Sequence, residues 1–405
     1  MTKLRSLAVV LGLSAFSAIG CSAGSDEFAS DEGPDTTDQA MVDVLNSPVK
    51  RQSIGNCWIY ATASWAESIN LAATGSALNL SESYWSYWHW FDEITRGYAK
   101  DEVETGGSFE VASAIIRNYG LMTEGDFIPE EANAEMSARQ HSALDAINAS
   151  LKSGALKDST ARRDRALVRK ELDKAWGLGA GVTQQLDAVF GKDVSKNLRS
   201  SRTITSGTKV MRPTQFKVKY ANGSTGSKKT TTMNVALGEW RSVSYPTWDT
   251  TSRRNFQIRF QKALGDAQPV IVSWFVDFNA LNENAEFKSI PATPGRQGGH
   301  MTVMEDTQVK LADGTLLKAG VAATPEQLKS ALDPKAKVEF VRIKNSWGSY
   351  RPDRWANAVM PGFHDLYMTY LDGPVKHCTQ VNGTSDPKDC YDDVPLNDVV
   401  LPPGY

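Results

Sequence analysis

Gln52-Ser53-Ile54-Gly55-Asn56-Cys57-Trp58 sets a cysteine at the start of an amphipathic run, five residues after a carboxamide. From Cys57 the apolar residues Trp58, Ala61, Trp65, Ile69 and Ala72 recur every three or four positions, the spacing of one helix face. A helix is therefore predicted to begin there with Asn56 as its cap. A thiol in that first turn faces the positive end of the helix dipole, which favours thiolate over thiol and predicts a sulfur reactive near neutral pH. Gln52 is placed to be the oxyanion donor beside it.

Downstream, Asn79-Leu80-Ser81-Glu82-Ser83-Tyr84 predicts a second helix capped by Ser81 and continued through Trp85, Tyr87, Trp88, Trp90 and Phe91, an aromatic run suited to core packing. A third helix is predicted from Phe109, capped by Ser108 and stopped by Gly120. Residues 130–200 are polar and helical in pattern. After residue 203 the pattern changes to short alternating segments: a hairpin of 216–220 with 230–235, a helix over 255–267, and strands at 269–276, 300–305 and 338–344. A helical first half followed by a β-rich second half predicts an α+β fold with two lobes.

The β-rich half supplies two further polar groups. Gly298-Gly299-His300-Met301-Thr302-Val303-Met304 brings an imidazole to the point where a Gly-rich loop enters an apolar strand. Val341-Arg342-Ile343-Lys344-Asn345-Ser346-Trp347-Gly348 ends a strand in a carboxamide followed by an indole, which can orient an imidazole and shield the hydrogen bond from water. A thiol and an imidazole that exchange a proton need an orienting carboxamide where a serine enzyme needs a carboxylate.

In the order Gln, Cys, His, Asn these blocks resemble the papain family of cysteine peptidases over about residues 48–128 and 255–375. The resemblance implies a papain-like two-lobed fold with the site between the lobes. Gln52 would donate to the oxyanion, Cys57 attack, His300 act as base then acid, Asn345 orient His300, and Trp347 cover that contact. Gly106-Gly107 is similar to the family's paired glycines, which bind extended peptide as an added strand, although a tight turn before a capped helix also fits. Gly299 and Trp347 are placed with them at the substrate. Leu80-Ser81-Glu82-Ser83-Tyr84, the missing inhibitory pro-region and the long helical insert resemble the bleomycin hydrolase branch, which is cytoplasmic, hexameric and aminopeptidase-like. Two departures stand out: a long polar segment from Gln308 to Val338, expected to reshape the leaving-group side of the cleft, and Ser349-Tyr350-Arg351-Pro352 where the family has a second Trp-Gly.

The N-terminus departs from that branch too. Lys3 and Arg5 lead into an apolar run from Leu7 to Ile19 that is too short to span a bilayer and reads as a signal peptide over 1–20. Ala18-Ile19-Gly20-Cys21 resembles a bacterial lipobox, which implies lipidation of Cys21 and, with Ser22 following, the outer membrane in a Gram-negative cell; an ordinary secretory signal is the alternative. Residues 22–46 hold seven acids and no Lys or Arg, the composition of a solvated tether over 21–46. Without residues 1–20 the chain keeps 42 basic and 47 acidic residues, net −5, and beyond the tether the body is near +2. No charge signal for nucleic acid remains.

Cys378 and Cys390, in a loop-rich C-terminal stretch, are expected to form a disulfide in an exported protein; with His364 and His377 nearby, zinc is the alternative. The expected organisation is a helical lobe over 47–202, with an insertion at about 130–200, and a β-rich lobe over 203–405. Expected partners are a polypeptide substrate, a membrane reached through the lipid, and an unidentified inhibitor if the enzyme is not simply exported active. The chemistry calls for no metal or organic cofactor. A Cys-His amidase or acyltransferase on cell wall or amine acceptors, and a silent peptide-binding lipoprotein, are the alternative functions. Whether the tail Leu396–Tyr405 enters the cleft is left open by the sequence.

Overall fold

Helix α1 (Cys57–Thr74) begins where the periodicity places it and ends on Gly75, whose left-handed backbone lets its N–H reach Leu71 O at 2.8 Å. Asn56 occupies the cap position, but its side chain does not cap. It is buried, and its Nδ2 donates instead to Ser86 Oγ and Gln140 Oε1, both at 3.0 Å. Helix α2 (Glu82–Thr95) is capped by Ser81 Oγ, which accepts from Tyr84 N at 2.9 Å. Nearly all of α2 is buried, as expected of a helix that is aromatic all round, and Trp88 stacks on Tyr119 with ring centroids 4.1 Å apart. Helix α3 (Phe109–Tyr119) runs from the Ser108 cap to Gly120.

The computed structural model describes residues 44–200, 207–381 and 383–405, which belong to one unit, Gln39–Tyr405. The signal segment, Cys21 and nearly all of the acidic tether lie outside the described residues, as does the expected lobe boundary at 202/203. After the short α4 (Glu124–Phe127), the expected insertion consists of α5 (Arg139–Ser153), α6 (Ser159–Arg163), α7 (Arg165–Ala175) and α8 (Ala180–Phe190). Ile147, Leu172, Trp176, Leu186 and Phe190 join the aromatic core of α2. Arg169 enters that core with its charge met by Asp173 at 3.0 Å and Asp187 at 3.4 Å.

The hairpin forms from β1 (Lys217–Ala221) and β2 (Lys228–Thr232), with Lys217 opposite Thr232. Its second strand stops earlier than expected. Met233, Ala236 and Leu237 follow helical spacing and bury together, so the chain turns into α9 (Met233–Glu239). This segment packs with the helices: Phe216, Val218, Met233 and Trp240 share their core.

The remaining elements are β3 (Arg241–Ser244), α10 (Thr250–Gly265), β4 (Val270–Asp277), β5 (Glu286–Phe287), β6 (Gln297–Lys310), β7 (Leu316–Leu317), α11 (Pro325–Ala331), β8 (Lys337–Lys344), β9 (Phe363–Tyr367), α12 (Met368–Leu371), β10 (Val375–Val381), β11 (Thr384–Asp393) and β12 (Leu396–Leu401). Among the described residues the main sheet runs β3-β12-β4-β6-β8-β9-β5, with β7 beside β6. Every pair in it is antiparallel except β5 with β9. Its strands alternate faces. Ile271, Met301 and Val303 turn to the helical core, while Val272, Trp274, Met304 and Ile343 turn to a second core with Phe256 and Phe260 of α10. The α+β arrangement expected from the sequence is the one observed: a helical body set against one face of an antiparallel sheet.

Two details correct the sequence reading and a third answers a question it left open. Gly298 and Gly299 are not in a loop before the strand; they are inside β6, opposite Val276 and Phe275. The tail is not in the cleft, because β12 lies within the sheet between β3 and β4 and Tyr405 Oη reaches Asp266 at 2.6 Å. The segment 308–338 forms a small apolar cluster of Val309, Leu311, Leu317, Ala331 and Ala336 and contributes no cleft-lining residue. Among the described residues no helix is long and apolar enough to cross a membrane.

Candidate active site

Cys57 occupies the first turn of α1, half-exposed at a cleft of about 400 Å³ that Gln52, Gly299, His300 and Trp347 also line. The helical body supplies the sulfur and the sheet supplies the imidazole. β6 carries His300 opposite Trp274, whose ring meets the imidazole edge-on at 5.7 Å. At the end of the neighbouring strand β8, Asn345 Oδ1 lies 2.7 Å from His300 Nε2 and also accepts from Ser346 N at 2.8 Å. That second donor identifies the atom as the amide oxygen, so Nε2 carries the proton and Nδ1 is left for the cleft. Trp347 stacks on His300 with centroids 5.0 Å apart and is itself only 5 % exposed, covering the His300–Asn345 bond.

Gln52 is held by Ser346, a residue the sequence reading passed over. Ser346 Oγ donates to Gln52 Oε1 at 2.5 Å, and Gln52 N donates to Ser346 O at 2.9 Å. Gln52 Nε2 spends one hydrogen on Ile54 O at 2.8 Å and has a second to offer. One short segment, 345–347, thus orients the imidazole, shields it and fixes the carboxamide at the same time.

The electrostatics differ from the sequence expectation of a resting thiolate. Burial pushes the Cys57 thiol up to about 11, against backbone N–H contributions at Cys57, Trp58 and Met301 that favour the anion. Burial also brings His300 down to about 4, partly offset by the Asn345 hydrogen bond and deepened by the Arg354 charge. Burial thus works against a lone thiolate and a lone imidazolium alike. The two charges are best tolerated together, where each attracts the other.

His364, named in the sequence only for a zinc alternative, is the second residue whose place beside the site the sequence reading missed. It sits on β9 opposite Ile343, is buried, and its Nδ1 lies 3.3 Å from Asn345 Nδ2. Burial first, then His300 and Arg354, bring it down to about 3, so it is neutral and its Nδ1 can accept the amide proton. Arg342 and Asp365 pin β8 to β9 beside it with two 2.8 Å bonds. Only the alternation of Phe363-His364-Asp365-Leu366 could have pointed to it, and alternation does not say what lies opposite.

A buried ionic cluster ties the segment before the site to α1 and α2. Lys50 Nζ meets Glu67 at 2.9 Å and Glu82 at 2.7 Å. Lys344, next to Asn345, donates to Ser47 Oγ at 2.8 Å, and burial lowers it to about 8.

Gly106 and Gly107 do not line the cleft around Cys57. They are exposed, on a stretch beside cleft-lining Gly55, and a Cβ on Gly107 would sit 2.5 Å from the Trp58 ring. Close approach to Trp58 is thus a sufficient reason for that glycine. Cys378 and Cys390 are bonded to each other across the β10–β11 hairpin. Their sulfurs are therefore not free to be ligands, and His364 packs against Asn345 and Trp347. The hairpin braces the site from below: Cys378 N donates to Gln297 Oε1 at 2.9 Å, three residues before His300.

No protein-family model matches the chain, and no curated protein matches it. Among solved structures it is similar to xylellain, a cysteine protease from Xylella fastidiosa, at 10% identity over 90% of this chain and 85% of that one, with a TM-score of 0.37. It is also similar to the bromelain protease from Ananas comosus at 12% identity, over 88% of this chain and 94% of that one, TM-score 0.32. A third is digestive procathepsin L 3 of Tenebrio molitor, at 14% identity, 89% and 67% coverage and TM-score 0.34. Overlap at this level decides nothing about chemistry, which is set by the geometry of the cleft itself.

Proposed function

We propose that this chain is a cysteine-type peptidase that hydrolyses peptide bonds through a thioester acyl-enzyme. The observation that carries the reading is the convergence of Cys57 from α1 with His300 and Asn345 from adjacent strands under Trp347, with Gln52 beside them. Cys57 Sγ attacks the carbonyl carbon while His300 Nδ1 takes its proton, so thiolate and imidazolium character arise together. Gln52 Nε2 and backbone N–H at the start of α1 face the oxygen on which charge develops. His300 then gives the proton to the leaving amine, and a water activated by the same nitrogen cleaves the thioester.

The C-terminal tail is held in the sheet and does not block the cleft, which favours internal cleavage over the aminopeptidase mode of the bleomycin hydrolase branch. Export, and anchoring through Cys21, rest on the N-terminal sequence, and the mass of the purified N-terminal peptide tests them.

The test of the peptidase reading is labelling with an epoxide inhibitor of papain-like enzymes and turnover of a mixed peptide library. Adduct formation on Cys57 and loss of turnover in Cys57→Ala are expected. Full activity in Cys57→Ala would end the reading. Adding a free amine to the same library separates hydrolysis from acyl transfer, since transfer would yield amidated products in place of acids.

A further inference from the structure

Arg296, Arg351 and Arg354 line the same cleft as Cys57 and His300, and among the described residues no Asp or Glu does. Arg354 lies over the Trp347 ring at 4.4 Å and over Phe278 at 4.7 Å, and Arg296 lies over Phe278 at 4.4 Å. One carboxylate serves two of the three: Asp353 meets Arg351 Nε at 3.1 Å and Arg354 Nη2 at 3.3 Å, and it is exposed. The other carboxylate nearby, buried Asp277, is taken up by Asn279 N, Gly295 N and Gln297 Nε2. The Arg354 side chain is only 9 % exposed, and its Nε has no hydrogen-bond acceptor among the described residues.

Guanidinium groups crowded by like charges and partly withdrawn from water cost free energy that an arriving anion would recover. The crowding is visible in Arg354 itself, which burial and then Arg351 bring down to about 10, with Arg296 adding to the effect and Asp353 opposing it. Planar guanidinium groups match carboxylates in geometry, through paired N–H donors.

The position of the cluster fixes which part of a substrate it meets. His300 delivers its proton to the leaving amine, Trp347 stacks on His300, and Arg354 stacks on Trp347. Passing from Cys57 through His300 to Arg354 therefore leads toward the leaving-group side. We infer that Arg296, Arg351 and Arg354 form a carboxylate-binding subsite there, so that the substrates are peptides carrying a carboxylate shortly after the cleaved bond. The inference rests on the peptidase reading. The carboxylate has two sources, an Asp or Glu side chain or the free C-terminus of the substrate.

The experiment compares kcat/KM for matched peptides with Asp or Asn at the first and second leaving-group positions, each with a free or an amidated C-terminus. A charge-assisted pair predicts a preference of roughly 10- to 100-fold for the carboxylate peptides. Loss on Asp→Asn alone names the side chain as the source; loss on amidation alone names the C-terminus. The ratio should collapse toward one in Arg354→Gln and fall in the more exposed Arg296→Gln/Arg351→Gln pair, which guards against a folding defect at the buried position. Equal rates for charged and neutral peptides, or a preference unchanged in both variants, would overturn the inference while leaving the peptidase reading intact. Binding of an acidic product peptide and its neutral match to Cys57→Ala, followed by calorimetry, reads the subsite without turnover. If wild type turned over no peptide, tighter binding of the acidic match would still support the subsite, and equal binding would overturn it.

Discussion

Asn345→Ala removes the acceptor that holds His300 in its tautomer and supports the imidazolium formed when Cys57 attacks. In wild type that bond is 2.7 Å long, buried, and covered by Trp347. A hydrogen bond to a charged donor contributes about 1.5–3 kcal/mol. At about 1.4 kcal/mol per factor of ten, kcat/KM should fall roughly 10- to 150-fold. KM should change less than kcat, since the bond strengthens only as the imidazole charges. The sign of the pH effect follows from the same contact. Asn345 raises the His300 pKa against burial, so its loss lowers that pKa and His300 stays a neutral base to lower pH. The acid limb of kcat/KM against pH should move down. Steady-state turnover of a fluorogenic peptide across pH, with circular dichroism to verify the fold, reads both effects. A fall of less than about threefold with an unmoved limb would refute the orienting role of Asn345.

Three further outcomes follow from the same contacts. Gln52→Ala should reduce kcat by about 10²–10³ with little change in KM, the cost of one oxyanion donor, and an unchanged kcat would remove Gln52 from the chemistry. His364→Leu leaves Asn345 Nδ2 without its 3.3 Å acceptor and should lower kcat/KM about 2- to 10-fold, with the acid limb shifted in the direction of Asn345→Ala; restoration by His364→Gln marks positioning, and a drop in thermal stability alone would mark packing. Glu124 is raised to about 8 by burial and then by Glu82, so the folded chain keeps a proton that the unfolded chain releases near 4.5. Wild-type stability should therefore decline relative to Glu124→Gln by about 1.4 kcal/mol per pH unit between those values and run parallel above them, as read by urea unfolding; a pH-independent difference would refute it.

The helices were legible where local chemistry sets them. Ser81 and Ser108 cap the backbone three residues ahead, and Gly120 ends its helix, because each contact closes within one turn. Asn56 shows the limit of that logic. Its type suits a cap, but partners on α2 and α5 take its amide, and those partners are 30 and 84 residues away. Strand β12 and the turn of residues 233–239 into a helix were missed for the same reason: short apolar runs take their state from the surface that receives them.

The sequence by itself determined which residues carry the candidate chemistry, because a thiol at a helix start, a histidine in an apolar strand and an Asn-Ser-Trp strand end are local patterns of type and spacing. Tertiary structure decided everything that depends on proximity and dielectric. It put Ser346 on Gln52 and His364 on Asn345, and it gathered three arginines at the cleft. It also set a cost of desolvation against the helix-end field, since that field can be read from residue order while desolvation exists only once both lobes have closed around the sulfur.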